Sequence, residues 1–153
     1  MLFIYSAIAI ALDRPEYESS VDIRLPKAFV KELGSYSNVY ISGISTYRNG
    51  GAAPQNQFAS TVNLTNPYGN YKNGSFFKMT VPYFALSVSL IAVNKNDKKS
   101  CKSSFAPVTL NPYEAHIEIS DCASQINSDT DYINVERDLK SIASKYKVRQ
   151  LSW

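Results

Sequence analysis

Two cysteines, one histidine, a run of acids near the C-terminus and a set of tyrosines are the groups in this 153-residue chain whose types and spacing could do chemistry. Cys101 and Cys122 are its only thiols, and three states are open to them: a bridge, a shared metal, or two reduced side chains. A structural zinc site needs four ligands, and His116 is the only histidine available to join the two sulfurs. A turn centred on Asn111 and Pro112 favours the bridge. It places Val108 opposite Ala115, Ala106 opposite Ile117, Ser104 opposite Ile119, and finally Cys101 opposite Cys122. Directly opposed residues of an antiparallel pair have Cα atoms about 4.5 or 5.5 Å apart, inside the range a disulfide needs. Closing a loop of this length contributes about 3 kcal/mol in the chain-entropy model. Disulfides persist in oxidising compartments, so a bridge implies a life outside the cytosol.

His116 shares a strand face with Glu114 and Glu118, and a serine-histidine-acid reading would draw its hydroxyl from Ser103 or Ser120. Such a triad also needs an oxyanion hole, and no glycine-rich nucleophile turn is present. Asn127, Asp129 and Asp131 repeat the spacing of the first calcium-loop ligands, with Asp138 at the twelfth position, but Tyr132 stands where that loop needs glycine. Helix capping explains these acids more simply. No catalytic residue, metal or cofactor is therefore expected. Tyr36, Tyr40, Tyr47, Tyr68 and Tyr71 lie in or beside loops, where rings can anchor a protein partner or stack on sugar faces. The sequons at Asn63 and Asn73 count only in a eukaryotic secretory pathway.

The elements that must position these groups are mostly strands. Val21, Ile23 and Leu25 alternate with Asp22 and Arg24, the mark of a half-buried strand that Pro26 ends. PKAFVKELG, with proline at its start and glycine at its end, reads as one helical excursion. NVYISGIST puts Val39, Ile41 and Gly43 on one face. Tyr47 to Gln57 is loop by composition, and Phe58, Ser60, Val62 and Leu64 follow on one face of the next strand. Phe77, Met79 and Val81 alternate before a VPYFA corner, and Leu86, Val88, Leu90 and Ala92 alternate after it. With the cysteine-bracketed hairpin this makes seven strands, which predicts a mainly β, seven-stranded antiparallel sandwich. At the end, Val135, Leu139, Ile142 and Tyr146 trace one face of an amphipathic helix, capped by Asp129, Thr130 or Asp131 and expected across an open edge or end of the sandwich.

Residues 1–12 are read as a signal segment or as a first buried strand, residues 13–125 as the sandwich, and residues 126–153 as the C-terminal helix and tail packed on it. The apolar run MLFIYSAIAIAL ends in A-x-A patterns that suit signal cleavage, although no basic residue precedes it, and it is too short to span a bilayer as a helix. An apolar content of 44% with 19% charged residues describes a globular chain. Its net charge of +3 is divided between NKNDKKSCK and KYKVR rather than gathered on one face, which argues against nucleic acid.

The stretch from GSFFKMTVPYFALSVSLIAVN to VTLNPYEAHIEISDC, residues 74–122, resembles bacterial extracytoplasmic modules of the immunoglobulin-like and carboxypeptidase-regulatory (transthyretin-like) type. There a strand ends at a VP corner, the next reads L-x-V-x-L-x-A, and two cysteines open and close the following strands. Tyr83, Phe84 and Ala85 replace the glycine-rich turn usual after that corner, and the C-terminal helix has no counterpart. The resemblance implies a sandwich fold and a setting outside the cytoplasm. Together these features lead to the expectation of a non-catalytic binding or assembly module, secreted, periplasmic or at the cell surface. Its partner would be a protein or envelope component, with a glycan held by the loop tyrosines as the alternative, and with no nucleic acid and no membrane span.

Overall fold

The structure is a computed structural model and describes residues 18–46, 55–71, 73–108, 114–145 and 148–152. Expectations that fall elsewhere, including the signal segment, Tyr47, Tyr146, Trp153 and the Asn111-Pro112 turn, lie outside the described residues. Strand β1 (Glu18–Pro26) buries Val21, Ile23 and Leu25 on its inner face, as the alternation predicts. Pro26 then opens helix α1 (Lys27–Leu33), whose Phe29 and Leu33 are buried. The helix stops at Gly34, whose amide donates to the Val30 carbonyl.

The chain continues as β2 (Asn38–Thr46), β3 (Gln55–Thr61), β4 (Gly69–Tyr71), β5 (Gly74–Pro82), β6 (Phe84–Asn94), β7 (Lys99–Lys102), β8 (Ala106–Pro107), β9 (Glu114–Glu118), α2 (Asp129–Lys145) and β10 (Arg149–Leu151). Ten strands are thus present among the described residues, where seven were expected. They form two sheets. The first runs β10-β5-β1-β9 with β4 also on β5; the second runs β3-β2-β6-β7 with β8 also on β6. Val21, Ile23, Leu25, Phe77, Met79 and Val81 from the first sheet meet Val39, Ile41, Val88, Leu90 and Ala92 from the second in the main core. Gly43 belongs to that inner face because the Phe58 ring lies across it: a Cβ there would stand 2.4 Å from the ring and from the Ser87 carbonyl.

Four expectations are corrected. First, the cysteine-bracketed hairpin does not form. Ala106 and Pro107 pair with Val88 and Ser87 of β6, whereas Glu114–Glu118 runs parallel to Ser20–Arg24 of β1. The Val108 amide still donates to the Leu86 carbonyl of β6 at 2.7 Å, and by Glu114 the chain is on the other sheet. Second, VPYFA is not a hairpin corner. Tyr83 alone separates β5 from β6, at φ 63°, and passes the chain from one sheet to the other. Third, Leu86 does not share the inner face of Val88. The register shifts between Ile44 and Ser45, Ser87 and Ala85 being their successive partners, so Leu86 is the extra residue of a bulge and Ala85 enters the core instead. Fourth, α2 covers the outer face of the second sheet rather than an edge or end. Tyr132 and Leu139 pack with Tyr40, Ala59, Ile91 and Val93 in a second apolar cluster, while Val135 and Ile142 are only half-buried at its margin. The helix is capped by Ser128, whose hydroxyl accepts from the Asp131 amide at 3.2 Å, not by Asp129, Thr130 or Asp131.

The disulfide between Cys101 and Cys122 is present, with Cα atoms 5.1 Å apart, but for a different reason from the one the sequence suggested. Cys101 is fully buried in β7, and Cys122 lies on the segment that leaves β9. That segment comes back alongside β7: the Lys102 amide donates to the Ser124 carbonyl at 3.0 Å and the Ala123 amide to the Lys102 carbonyl at 2.8 Å. The bridge therefore ties the two sheets together, not two strands of one hairpin. No described helix is long and apolar enough to cross a membrane.

Two stability outcomes follow. Cys101→Ala with Cys122→Ala should lose about 3 kcal/mol of unfolding free energy in urea titration, the loop-closure entropy of the denatured chain. A loss under about 1 kcal/mol would show that the sheets hold without the bridge. Leu139→Ala should cost about 2–3 kcal/mol by opening a cavity under α2. Ile133→Ala, on the exposed side of the same helix, should stay within about 0.5 kcal/mol.

Candidate binding site

The outer face of the first sheet is set by register. Arg24 lies between Phe76 and Glu118, Asp22 between Lys78 and His116, and Ser20 between Thr80 and Glu114. On the far side of β5, Gly69 and Tyr71 face Phe76 and Gly74, and Leu151 and Arg149 face Lys78 and Thr80. Alternation along a strand puts these residues, Glu114 left aside, on the side away from the core. The result is a mosaic of rings and charges. Tyr68 packs on Phe76 with ring centroids 5.4 Å apart and receives the Lys78 ammonium 5.4 Å from its own centroid. The Arg24 guanidinium lies 5.5 Å over the Tyr71 ring. Asp22 and Lys78 pair at 3.7 Å, and their side chains are only 16% and 20% exposed.

Several polar atoms of this face are shielded from water and lack a hydrogen-bond partner among the described residues: Ser20 Oγ, Arg24 Nε, Tyr71 Oη and Thr80 Oγ1. Leaving such a group unpaired costs about 1–3 kcal/mol. Burial raises the Tyr71 hydroxyl above its ordinary pKa, and the nearby Glu118 raises it further, against the lowering effect of Arg24. The phenol is therefore held neutral, able to donate one hydrogen bond.

Beside this mosaic, at the end of the sandwich, α1 and the β4–β5 turn enclose an open cleft of about 880 Å3 lined by Lys27, Val30, Lys31, Asn70, Asn73, Gly74 and Ser75. Lys27, Val30 and Lys31 are the i, i+3 and i+4 positions of one helix face. The wall at Gly74 is shared with the mosaic, since a Cβ there would meet the Tyr71 ring at 3.0 Å and the Leu25 carbonyl at 2.4 Å. The Lys27 amide donates to the Asn73 carbonyl, which fixes the turn against the helix.

The four described tyrosines of the expected platform are not together. Tyr68 precedes β4 and Tyr71 ends it, both on the mosaic. Tyr36 is buried, donates to the Ser100 carbonyl at 3.4 Å and carries the Lys99 ammonium 4.7 Å from its ring centroid. Tyr40 is buried under α2, where its hydroxyl donates to Glu136 Oε1 at 3.2 Å. Glu136 also accepts from Asn38 at 3.1 Å and pairs with Lys140 at 3.5 Å, so it clamps α2 to β2. Alternation placed Tyr40 away from the core correctly, but the outer side of β2 is covered by the helix. Burial and the Glu136 carboxylate push the Tyr40 hydroxyl up to about 12.

Of the residues considered for catalysis and metal binding, Ser103, Asp129 and Asp138 are engaged in other contacts. The Ser103 hydroxyl accepts from the Leu90 amide at 2.8 Å and donates to the Ser104 carbonyl at 3.0 Å within the second sheet. His116 and Ser120 are exposed, and His116 is on the first sheet. Asp129 pairs with Lys98 at 3.2 Å, and Asp138 with Arg137 at 3.2 Å. Sequence reasoning missed the cleft because its described lysines belong to a short helix and its amides to a turn more than one strand pair further along the chain. The i, i+4 spacing of Lys27 and Lys31 was the one local signal.

No family model, curated protein sequence or solved structure gives a significant match to this chain.

The Tyr40 contact generates a pH dependence. Because its folded pKa lies above the ordinary value of 10.0, the stability it supplies is full below about pH 10 and is lost as pH rises toward 12. Urea titrations across that window should show a steeper fall for the parent than for Tyr40→Phe. At neutral pH the same variant should lose about 1 kcal/mol for the missing hydrogen bond. Parallel pH profiles would refute the assignment.

Proposed function

We propose that this chain is a non-catalytic binding or assembly module working outside the cytoplasm, and that it meets a protein partner through the outer face of the first sheet. The observation that carries the reading is the mosaic of Arg24, Tyr68, Tyr71, Phe76 and Lys78, with Tyr71 Oη and Arg24 Nε unpartnered among the described residues. Tyrosine and arginine dominate the energetics of protein interfaces, where a ring supplies area at small entropic cost and the polar tip supplies direction. The opposite outer face is occupied by α2.

The extracytoplasmic setting is supported by the Cys101–Cys122 bridge and by the signal-like composition of MLFIYSAIAIAL. Kinship with immunoglobulin-like or transthyretin-like modules is part of the same reading. Two packed sheets and a cysteine pair support it, while the parallel β1–β9 pairing and the outer helix are this chain's own. The commitment of Ser103 to the Leu90 amide favours a binding role over hydrolysis.

A second reading, carbohydrate recognition, is favoured by one observation: Tyr71 borders a cleft furnished with two carboxamides and a hydroxyl.

Site-specific photo-crosslinkers test the first reading. A crosslinker at Lys78, in protein expressed in its native envelope, should capture a discrete partner that one at Ile133 does not. Arg24→Glu and Tyr71→Ala should each weaken that partner's affinity about tenfold. Capture from Ile133 alone, or affinity unchanged in both variants, would place the interface elsewhere.

A further inference from the structure

We infer that the cleft between α1 and the β4–β5 turn binds the anionic group of an acidic oligosaccharide, with the neighbouring sugar lying against Tyr71. The inference deepens the carbohydrate reading above and rests on it.

The lining is one-sided in charge. Lys27 and Lys31 contribute two ammonium groups one helical turn apart, and among the described residues no carboxylate lines the cleft. Neither lysine has a carboxylate within ion-pair distance among the described residues. By contrast Lys78, Lys98, Arg137, Lys140 and Arg149 are each in such a pair. Two unneutralised like charges on adjacent turns repel each other, a cost that an anion between them reverses.

Size decides against a small inorganic anion as the natural occupant. An opening of about 880 Å3 lies within the range of organic ligand sites, about 300–1,000 Å3. What remains beyond one charged group is lined by Asn70, Asn73 and Ser75. A carboxamide offers both donors and acceptors and a hydroxyl offers both, which suits a ligand whose own groups are hydroxyls. Val30 is the only branched apolar side chain among the described residues of the lining, so an apolar ligand would find little to cover. Tyr71 supplies the missing flat surface at the cleft's edge: its ring is 3.0 Å from where a Cβ of Gly74 would stand. Lysine, a compact point charge, imposes no bidentate geometry. The site can therefore accept a uronate carboxylate or a sulfate ester on the sugar, and the experiment separates the two.

The test is calorimetric titration of the full chain with four probes at low salt: a uronate oligosaccharide, a sulfated oligosaccharide, the neutral oligosaccharide of the same backbone, and inorganic sulfate. At least one acidic saccharide should bind measurably more tightly than its neutral counterpart, and its affinity should fall as salt rises. Lys27→Gln and Lys31→Gln, both on the exposed helix face, should each weaken it about fivefold, and Lys145→Gln should leave it unchanged. Asn70→Ala should weaken the saccharide without changing its salt dependence. Binding of the neutral saccharide as tightly as the acidic one would overturn the inference while leaving carbohydrate recognition standing. Absence of any saccharide binding would overturn both. Inorganic sulfate competing as well as the saccharide, or a single-stranded DNA oligomer of equal charge binding equally, would show a general anion site and would also overturn it. Circular dichroism of each variant checks that a lost signal is not lost folding.

Discussion

Strand β6 buries both of its faces, and most of the architecture answers to that demand. Val88, Leu90 and Ala92 point into the space between the sheets, while Ile91 and Val93 point away from it with Tyr40 of β2 and Ala59 of β3. An apolar patch of this kind cannot be left to water, and Tyr132 and Leu139 of α2 cover it. The helix is then fastened by polar contacts at its margin. Glu136 reaches Asn38 and Tyr40, Asp129 reaches Lys98, and Tyr132 donates to the Lys98 carbonyl. To deliver α2 to that face, the chain must return from β9 on the first sheet to the second. On the way it passes β7, and this passage is what brings Cys122 to Cys101. The bridge and the helix thus share one cause, the double burial of a single strand.

The same constraint divides the surface. One outer face carries the helix, and the other presents rings and charges from β1, β4 and β5. The lysines of NKNDKKSCK, which look like a free basic loop in the sequence, are partly used inside the fold: Lys98 pairs with Asp129, and Lys99 approaches both the Tyr36 ring and the Ser35 hydroxyl. Among the described residues, Lys27 and Lys31 stand without a carboxylate at the mouth of the cleft, on a helix that the sequence reads as a short excursion.

Local alternation was legible, and long-range pairing was not. Val21, Ile23 and Leu25, and Phe77, Met79 and Val81, read as inner faces and are inner faces, because a period of two is written into consecutive residues. The partner of a strand is not written there. Glu114–Glu118 alternates equally well as the second arm of a hairpin or as a parallel neighbour of β1, and the choice depends on residues some ninety positions earlier. The cysteine pairing was recovered from a register that does not exist, since the true contact is made by the segment after β9. Leu86 misled for a smaller reason: one extra residue in a strand exchanges the two faces from that point on. The tyrosines divide in the same way. Alternation shows that Tyr40 points away from the core, but only the packing of α2 decides whether that side is wet.

The arrangement of β1 and β10 on either side of β5 has a mechanical meaning. Both run antiparallel to β5, with Glu18 opposite Pro82 and Arg149 opposite Thr80, so they run parallel to each other. Tension applied through Glu18 and Leu151 therefore pulls the two strands in opposite directions along their length. The ladders would have to slide as a whole instead of unzipping one rung at a time, and Arg149, held to Glu18 at 2.9 Å, adds to that resistance. Were the sheets to part, the covalent clasp at Cys101 and Cys122 would keep the intervening polypeptide from paying out. Under shear, such a body would yield late and by a short step.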